Sequence, residues 1–320
     1  MWMPDPYSVA ATCLNGEDSE VAMHQDQIPV DAGVVARLVA DQFPDWGDLS
    51  VSQVRSSGTV NAIFRIGPDL AARFPLRFVE PSRCLTDLET EFESAQELAK
   101  ISTVATPEPV AIGRPGEGYP MPWSVQTWVP GHDATVEDPA SSDAFALDLA
   151  RLIIALRGAP THGRSFNGQG RGGHLSDHDR WLEKCFRESE DLLDVVRLRS
   201  IWADLRNLSE EDQDVMSHRD LTPPNVVVRN GRLVGLLDGG SYGPADPALD
   251  MVGAWHLLDA PRRALLRAEL NSSQVQWNRG MAWAFQQAMG LVWYYAESNP
   301  TMSQWGRRTI DRILAAYDRE

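Results

Sequence analysis

Between Asp31 and Phe43, the residues Val34, Val35, Leu38, Val39 and Phe43 recur at the spacing of one helical face, with Asp31 placed to cap the first turn. From Leu49 to Phe74 the apolar period shortens to that of strands broken by turns: Val51 to Arg55, Ser56 to Asn61, Ala62 to Ile66 and Leu70 to Phe74. This predicts a small antiparallel sheet. Helical period returns over Leu85 to Ala99, where Leu88, Phe92, Ala95 and Leu98 share a side and Glu89, Glu91, Glu93 and Glu97 surround it. Thr106 to Ala111, a Gly/Pro-rich turn over 113–118 and the apolar run Trp123 to Val129 predict strand, turn and strand, with Pro130-Gly131 as a hinge.

Beyond the hinge the pattern is mostly helical. Ala144 to Leu156, an amphipathic stretch from Trp181 to Val196 and a shorter piece from Trp202 to Leu208 carry the helical spacing. Asp246 and Asp250 open a helix running to Leu258. Met281 to Tyr295 is apolar around nearly its whole circumference and predicts a buried helix; Ile310, Ile313, Leu314 and Tyr317 predict a closing amphipathic one. One hairpin interrupts this half, from Asn225-Val228 and Leu233-Leu237 joined at Asn230-Gly231. Pairing outward from that turn sets Arg229 opposite Arg232, Val227 opposite Val234 and Asn225 opposite Leu236, with Asp238 just beyond. The expected class is α+β. Residues 1–25 lack any apolar period and are expected to form a disordered leader, 26–128 the strand-rich part and 129–320 the helical part.

Composition narrows the partners. An apolar fraction of 43% over 320 residues is that of a globular protein. Twenty-nine basic against 45 acidic residues give a net charge of -16, which argues against nucleic acid or anionic membrane as a general partner and suits a cationic small molecule. Cys13, Cys84 and Cys185 stand in no disulfide or zinc spacing, and no run is long and apolar enough to span a membrane, so a cytoplasmic location is expected.

Candidate chemistry concentrates between Met216 and Asp250. Asn225 and Asp238 flank the open mouth of the hairpin, and Asp220 lies five residues before Asn225, in a segment that Pro223 and Pro224 are expected to hold extended. Phosphoryl transfer from a nucleotide needs such a set: hard oxygen ligands for magnesium and a separate carboxylate for the acceptor hydroxyl. His218-Arg219-Asp220 with Asn225 matches the kinase loop H-R-D-x-x-x-x-N, and Asp238-Gly239-Gly240 stands where kinases carry D-F-G.

With Leu221, Asp246-Pro247 and Asp250, this order resembles the aminoglycoside phosphotransferase family, small-molecule kinases of the bilobal protein-kinase-like fold. So do the segments Pro107-Glu108-Pro109-Val110-Ala111 and Trp123 to Gly131. The resemblance implies that Asp220 is the catalytic base and that Asn225 and Asp238 hold Mg2+. It also implies that Arg73, braced by Glu91 or alternatively Glu89, positions the phosphates of ATP or GTP. Ser57 and Gly58 in the first turn would cover those phosphates, and the backbones of Thr127 and Val129 would take the base. An N-lobe with an antiparallel sheet and helix, a mostly helical C-lobe, and transfer to a hydroxyl of a small molecule, foremost an aminoglycoside-type antibiotic, follow from the same likeness. A macrolide or a metabolite stands as an alternative acceptor, and a non-catalytic nucleotide-binding relative as an alternative role. Two departures bear on that last reading: Arg219 replaces the family's common glycine, and Gly239 replaces the usual aromatic residue.

Rival readings of the same residues are weaker. Gly239-x-Ser241-x-Gly243 spells a hydrolase nucleophile elbow, but Pro244 and Pro247 delay the helix it needs, and His256 is the only histidine after it. The Gly-rich stretch 158–173, with Arg164, Asn167 and Arg171, lacks the Lys-Ser/Thr ending of a phosphate loop and reads as a flexible surface loop bordering the acceptor site. His174 and His178 read as solvated rather than as a metal pair.

Overall fold

The computed structural model describes residues 27–54, 60–209 and 213–318; the expected leader at 1–25 lies outside them. Contacts divide the chain into two compact units. The first comprises the residues up to Glu89 together with Val110–Trp128, and the second Thr90–Pro109 together with Val129–Glu320.

In the first unit, helix α1 (Ala32–Gln42) begins where Asp31 accepts a hydrogen bond from the Val34 N–H at 2.8 Å. Strands β1 (Val51–Val54), β2 (Asn61–Ile66) and β3 (Leu70–Pro75) follow. Then come α2 (Pro81–Ile101), β4 (Pro109–Gly113) and β5 (Trp123–Thr127). The sheet order is β1-β2-β3-β5-β4, and β3, the central strand, pairs antiparallel with both β2 and β5. Its apolar face closes a core of Val35, Leu38, Phe64, Ile66, Phe74 and Trp123. Phe74 stacks on Trp123 with ring centroids 4.8 Å apart. A Cβ on Gly113 would fall 2.1 Å from the Trp123 ring, so only glycine lets the indole lie flat on β4.

The second unit is helical around small sheets. It contains β6 (His132–Asp133), α3 (Asp143–Gly158), α4 (Asp179–Glu188), α5 (Val195–Leu205), β7 (Val215–Ser217), β8 (Val226–Arg229) and β9 (Arg232–Leu236). After them come β10 (Gly243–Ala245), α6 (Val252–Leu257), α7 (Ala260–Leu270), α8 (Gln274–Tyr294) and α9 (Pro300–Tyr317). Helix α8 is buried on nearly every side from Arg279 to Val292, as its largely apolar circumference requires, and packs along α9, where Ser303 Oγ donates to the Val292 carbonyl at 2.7 Å.

Several expectations are corrected. The stretch from Trp181 to Val196 is not one helix: α4 stops at Glu188, and Asp194 caps a new start at α5 by accepting from Arg197 N–H, so Trp202 belongs to α5. Helix α7, capped by Asp259, was not anticipated. Segment 90–109, read from sequence as part of the first lobe, groups with the second unit because Leu98 joins the larger core and Ala105 pairs with Gly235. The hairpin turns at Asn230 and Gly231, both at positive φ, but its register slips inside. Val226 faces Leu236, Val227 faces Gly235 and Val228 faces Leu233, leaving Val234 as a bulge whose carbonyl accepts from Ala105 N–H. Pro223-Pro224 is a 3₁₀ turn, Pro223–Asn225, not an extended segment.

Arg279 of α8 and Asp246 form a buried ion pair, their side chains 5% and 8% exposed, and Trp283 Nε1 donates to the same carboxylate at 2.9 Å. Arg279 also donates to the Leu208 carbonyl at 3.0 Å. Replacing Arg279 by Met is expected to destabilise the protein by about 3–5 kcal/mol, because Asp246 is left buried and uncompensated. Urea unfolding measures this, and Arg279→Met combined with Asp246→Asn is expected to be less destabilised than the single variant.

Candidate active site

The site is built on the loop that follows β7. Asp250 is 1% exposed, and its carboxylate accepts from Ser217 Oγ at 2.9 Å and from the backbone N–H groups of His218 and Arg219, each at 3.1 Å. The carboxylate therefore fixes the backbone that leads into Asp220. His218 is fully buried, with Nε2 2.9 Å from the carbonyl of Leu237, the residue before Asp238. From the other side the Leu237 N–H donates to the Asn225 carbonyl at 2.7 Å.

The backbone carbonyl of Asp220 accepts from Thr222 N–H at 2.8 Å and from Asn225 Nδ2 at 3.1 Å. With its nitrogen so engaged, the Asn225 amide keeps its oxygen as a hard donor. Asp238 sits in the left-handed region at φ 58°, a conformation that costs a non-glycine residue about 1–2 kcal/mol and is concentrated at functional positions. An amide oxygen at Asn225 and a carboxylate one residue beyond Leu237 are hard oxygen donors of the kind a magnesium ion takes beside phosphates and water. Among the described residues no cluster of three or more His, Cys, Asp or Glu side chains forms a self-sufficient metal site.

The Asp220 side chain is 16% exposed, and its Oδ2 pairs with Arg171 Nη1 at 2.6 Å. Its Oδ1 is buried without a hydrogen-bond partner among the described residues. The loop 158–173, read as a flexible border, thus delivers a guanidinium to the Asp220 carboxylate, which the sequence reading missed. The available signal was a lone arginine among Gly168, Gly170, Gly172 and Gly173.

Both departures from the family pattern have a physical setting. Arg219 takes φ 70°, which explains why glycine is common there, and its guanidinium donates to the Pro244 carbonyl at 2.7 Å and lies 5.3 Å from the Phe166 ring. Burial holds this guanidinium below its ordinary pKa, while Asp250 and Asp214 pull it back up. Gly239 packs beneath α2: a Cβ there would meet Leu98 Cδ2 at 2.6 Å, so Leu98 fills the space beside it. A Cβ on Gly240 would meet Glu91 Cγ at 2.8 Å, which puts Glu91 beside the residues following Asp238.

Of the remaining expected site residues, Arg73 lies on β3 opposite Ile63 and Ser124, and Thr127 ends β5 opposite Leu70, both in the first unit. Val129 belongs to the second unit, against Gly235. Ser57 and Gly58 lie outside the described residues.

The hydrolase and metal rivals fail on contact. Ser241 Oγ donates to the His218 carbonyl at 3.1 Å, whereas His256 is buried between Thr309 Oγ1 at 3.0 Å and Gln287 Oε1 at 3.1 Å, its pKa pushed by burial to about 3. His178 is not solvated: its Nε2 lies 3.2 Å from the Gly172 carbonyl, its ring edges onto Trp283, and burial lowers its pKa.

Residues 51–283 match the model of the phosphotransferase enzyme family. The chain belongs to that family. No curated protein sequence matches it. Solved structures show its fold to be the protein-kinase-like fold of aminoglycoside and macrolide phosphotransferases. The GDP complex of aminoglycoside 2'-phosphotransferase-IIIa is 18% identical with a TM-score of 0.66, the match covering 90% of this chain and 100% of that one. The streptomycin-ATP-APH(2")-IIa ternary complex is 17% identical, TM-score 0.57, covering 89% and 97%. The macrolide 2'-phosphotransferase MphH from Brachybacterium faecium is 16% identical, TM-score 0.56, covering 86% and 97%.

Gly239→Phe, which restores the family's usual aromatic residue, is expected to cost about 1–3 kcal/mol of stability by overpacking against Leu98. Gly239→Phe with Leu98→Ala is expected to recover much of that loss, as read from the two urea-unfolding midpoints.

Proposed function

We propose that this phosphotransferase moves the γ-phosphoryl group of ATP or GTP to a hydroxyl of a small molecule, foremost an aminoglycoside-type acceptor. The observation that carries the reading is the frame that joins Asp220 and Asn225 to Leu237, the residue before Asp238: Asn225 Nδ2 on the Asp220 carbonyl, Leu237 N–H on the Asn225 carbonyl and His218 on the Leu237 carbonyl. Asp220 orients the acceptor hydroxyl and takes its proton as the oxygen attacks phosphorus in line with the departing diphosphate. Magnesium, when bound, would be held by the Asn225 oxygen and the Asp238 carboxylate and would neutralise charge developing on the phosphates. The family resemblance assigns the phosphates to Arg73 and the nucleotide base to the backbones of Thr127 and Val129.

The acidic balance of the chain supports a cationic acceptor, and solved structures of the same fold include complexes with kanamycin, gentamicin and streptomycin. Dependence on a cellular nucleotide supports a cytoplasmic enzyme. No helix among the described residues is long and apolar enough to cross a membrane. Arg219 and Gly239 are both accommodated without loss of a reacting group, which favours an active enzyme over a non-catalytic relative.

A nucleotide-consumption screen over aminoglycosides, macrolides and common metabolites tests the acceptor class. Asp220→Ala is expected to lower turnover by at least about 10²–10⁴-fold while leaving nucleotide affinity nearly unchanged, as read by calorimetric titration. Full turnover in that variant removes Asp220 from the base role. Asp238→Ala is expected to weaken nucleotide binding in the presence of magnesium and to have little effect without it.

A further inference from the structure

The mechanism above does not use the glycine-rich loop, yet that loop is built to one conformation. Gly168, Gly170, Gly172 and Gly173 take φ of 78°, 75°, 142° and 78°, values that side-chain-bearing residues rarely adopt. A Cβ on Gly172 would sit 2.6 Å from the Phe166 ring, and one on Gly173 would sit 3.2 Å from it, so both glycines lie directly on that ring. Phe166 is itself anchored: its N–H donates to Asp214 Oδ2 at 2.7 Å, and the Arg219 guanidinium lies 5.3 Å from its ring centroid. The Gly172 carbonyl is 3.2 Å from His178 Nε2. Arg171 is held between these anchors with Nη1 2.6 Å from Asp220 Oδ2.

Resting on the phosphotransferase reading, we propose that Arg171 is a specificity-determining residue of the acceptor site, occupying the base Asp220 until an acceptor displaces it and so denying that base to water. In transfer and in hydrolysis alike, a bond forms between the attacking oxygen and the γ-phosphorus, and the bond from that phosphorus to the β–γ bridging oxygen breaks. The attacking oxygen's proton passes to the Asp220 carboxylate. An alcohol gives a phosphate ester and water gives inorganic phosphate, each with nucleoside diphosphate. A carboxylate already paired with a guanidinium is a poor proton acceptor, and a single water offers too little to displace a charge-assisted pair on a half-buried side chain. An acceptor bringing ammonium and hydroxyl donors of its own replaces the guanidinium's hydrogen bond and its charge together. The Arg219–Phe166 contact then supports the seat of the loop, giving the departure from the family's glycine a role.

The test is phosphate release by the purified full chain with magnesium and ATP or GTP and no acceptor. Arg171→Ala and Arg171→Gln are expected to raise this release about fivefold or more, and Arg171→Lys to raise it less. Phe166→Ala, which removes the ring under the loop without touching Asp220, is expected to raise it in the same direction. Release that stays level or falls in the Arg171 variants, while Asp220→Asn abolishes it, overturns the proposal and leaves the phosphotransferase reading standing. Undiminished release in the double variant Arg171→Ala/Asp220→Asn shows instead that Asp220 is not the base, and the underlying reading fails.

Discussion

The second unit depends on one buried carboxylate. A charge as enclosed as that of Asp250 costs several kcal/mol to desolvate unless its lone pairs are met, and here they are met by a hydroxyl and two consecutive backbone N–H groups. Those donors belong to Ser217, His218 and Arg219, so satisfying Asp250 fixes the backbone entering Asp220. The constraint then passes along a chain of backbone acceptors. The Asp220 carbonyl orients the Asn225 amide, and the Asn225 carbonyl holds Leu237, whose own carbonyl is met by His218. Each link is an ordinary hydrogen bond, but the links share members, so loosening one misplaces side chains several residues away.

The same constraint explains how the chain tolerates Arg219 at a position suited to glycine. A left-handed backbone costs an arginine about 1–2 kcal/mol, but the Arg219 N–H is one of the donors Asp250 requires, and its guanidinium finds the Pro244 carbonyl. Gly243 makes room for it, since a Cβ there would lie 2.9 Å from Arg219 Nη2. Gly239 answers a complementary demand, the bulk having moved to Leu98 on α2. Both departures are exchanges of volume and hydrogen bonding between neighbours, and neither touches the oxygens of Asp220, Asn225 or Asp238.

Features whose cause lies within a few residues were legible in the sequence: the Asp31 cap, the Asn230-Gly231 turn, the all-apolar face of α8 and the ordered motif from His218 to Asp250. Features decided by distant partners were not. The hairpin bulge exists because Ala105 bridges to Gly235 and takes the Val234 carbonyl, a pairing across more than a hundred residues that no local period encodes. The break between α4 and α5 is a contest between continuous periodicity and a capping aspartate, and the cap at Asp194 prevails. Asp220 could be named from its motif, whereas its partner Arg171 could not, because the register of a glycine-rich loop is set by the Phe166 ring beneath it.

That ion pair separates two quantities that the composition merges. The charge of -16 describes the whole surface, and at physiological ionic strength exposed charges more than about 8 Å apart are largely screened from each other. What surrounds the Asp220 carboxylate is local: Arg171 on it, the buried Arg219 next to it in the chain, and Arg164 paired with Glu97. Three guanidiniums therefore stand among the carboxylates of this region. On the function proposed above, a cationic acceptor would not fall into an open acidic hollow; it would exchange its own donors for a guanidinium already in place. Selectivity would then rest on how well its ammonium and hydroxyl groups reproduce the geometry of that pair, and net charge would contribute chiefly to the rate of encounter.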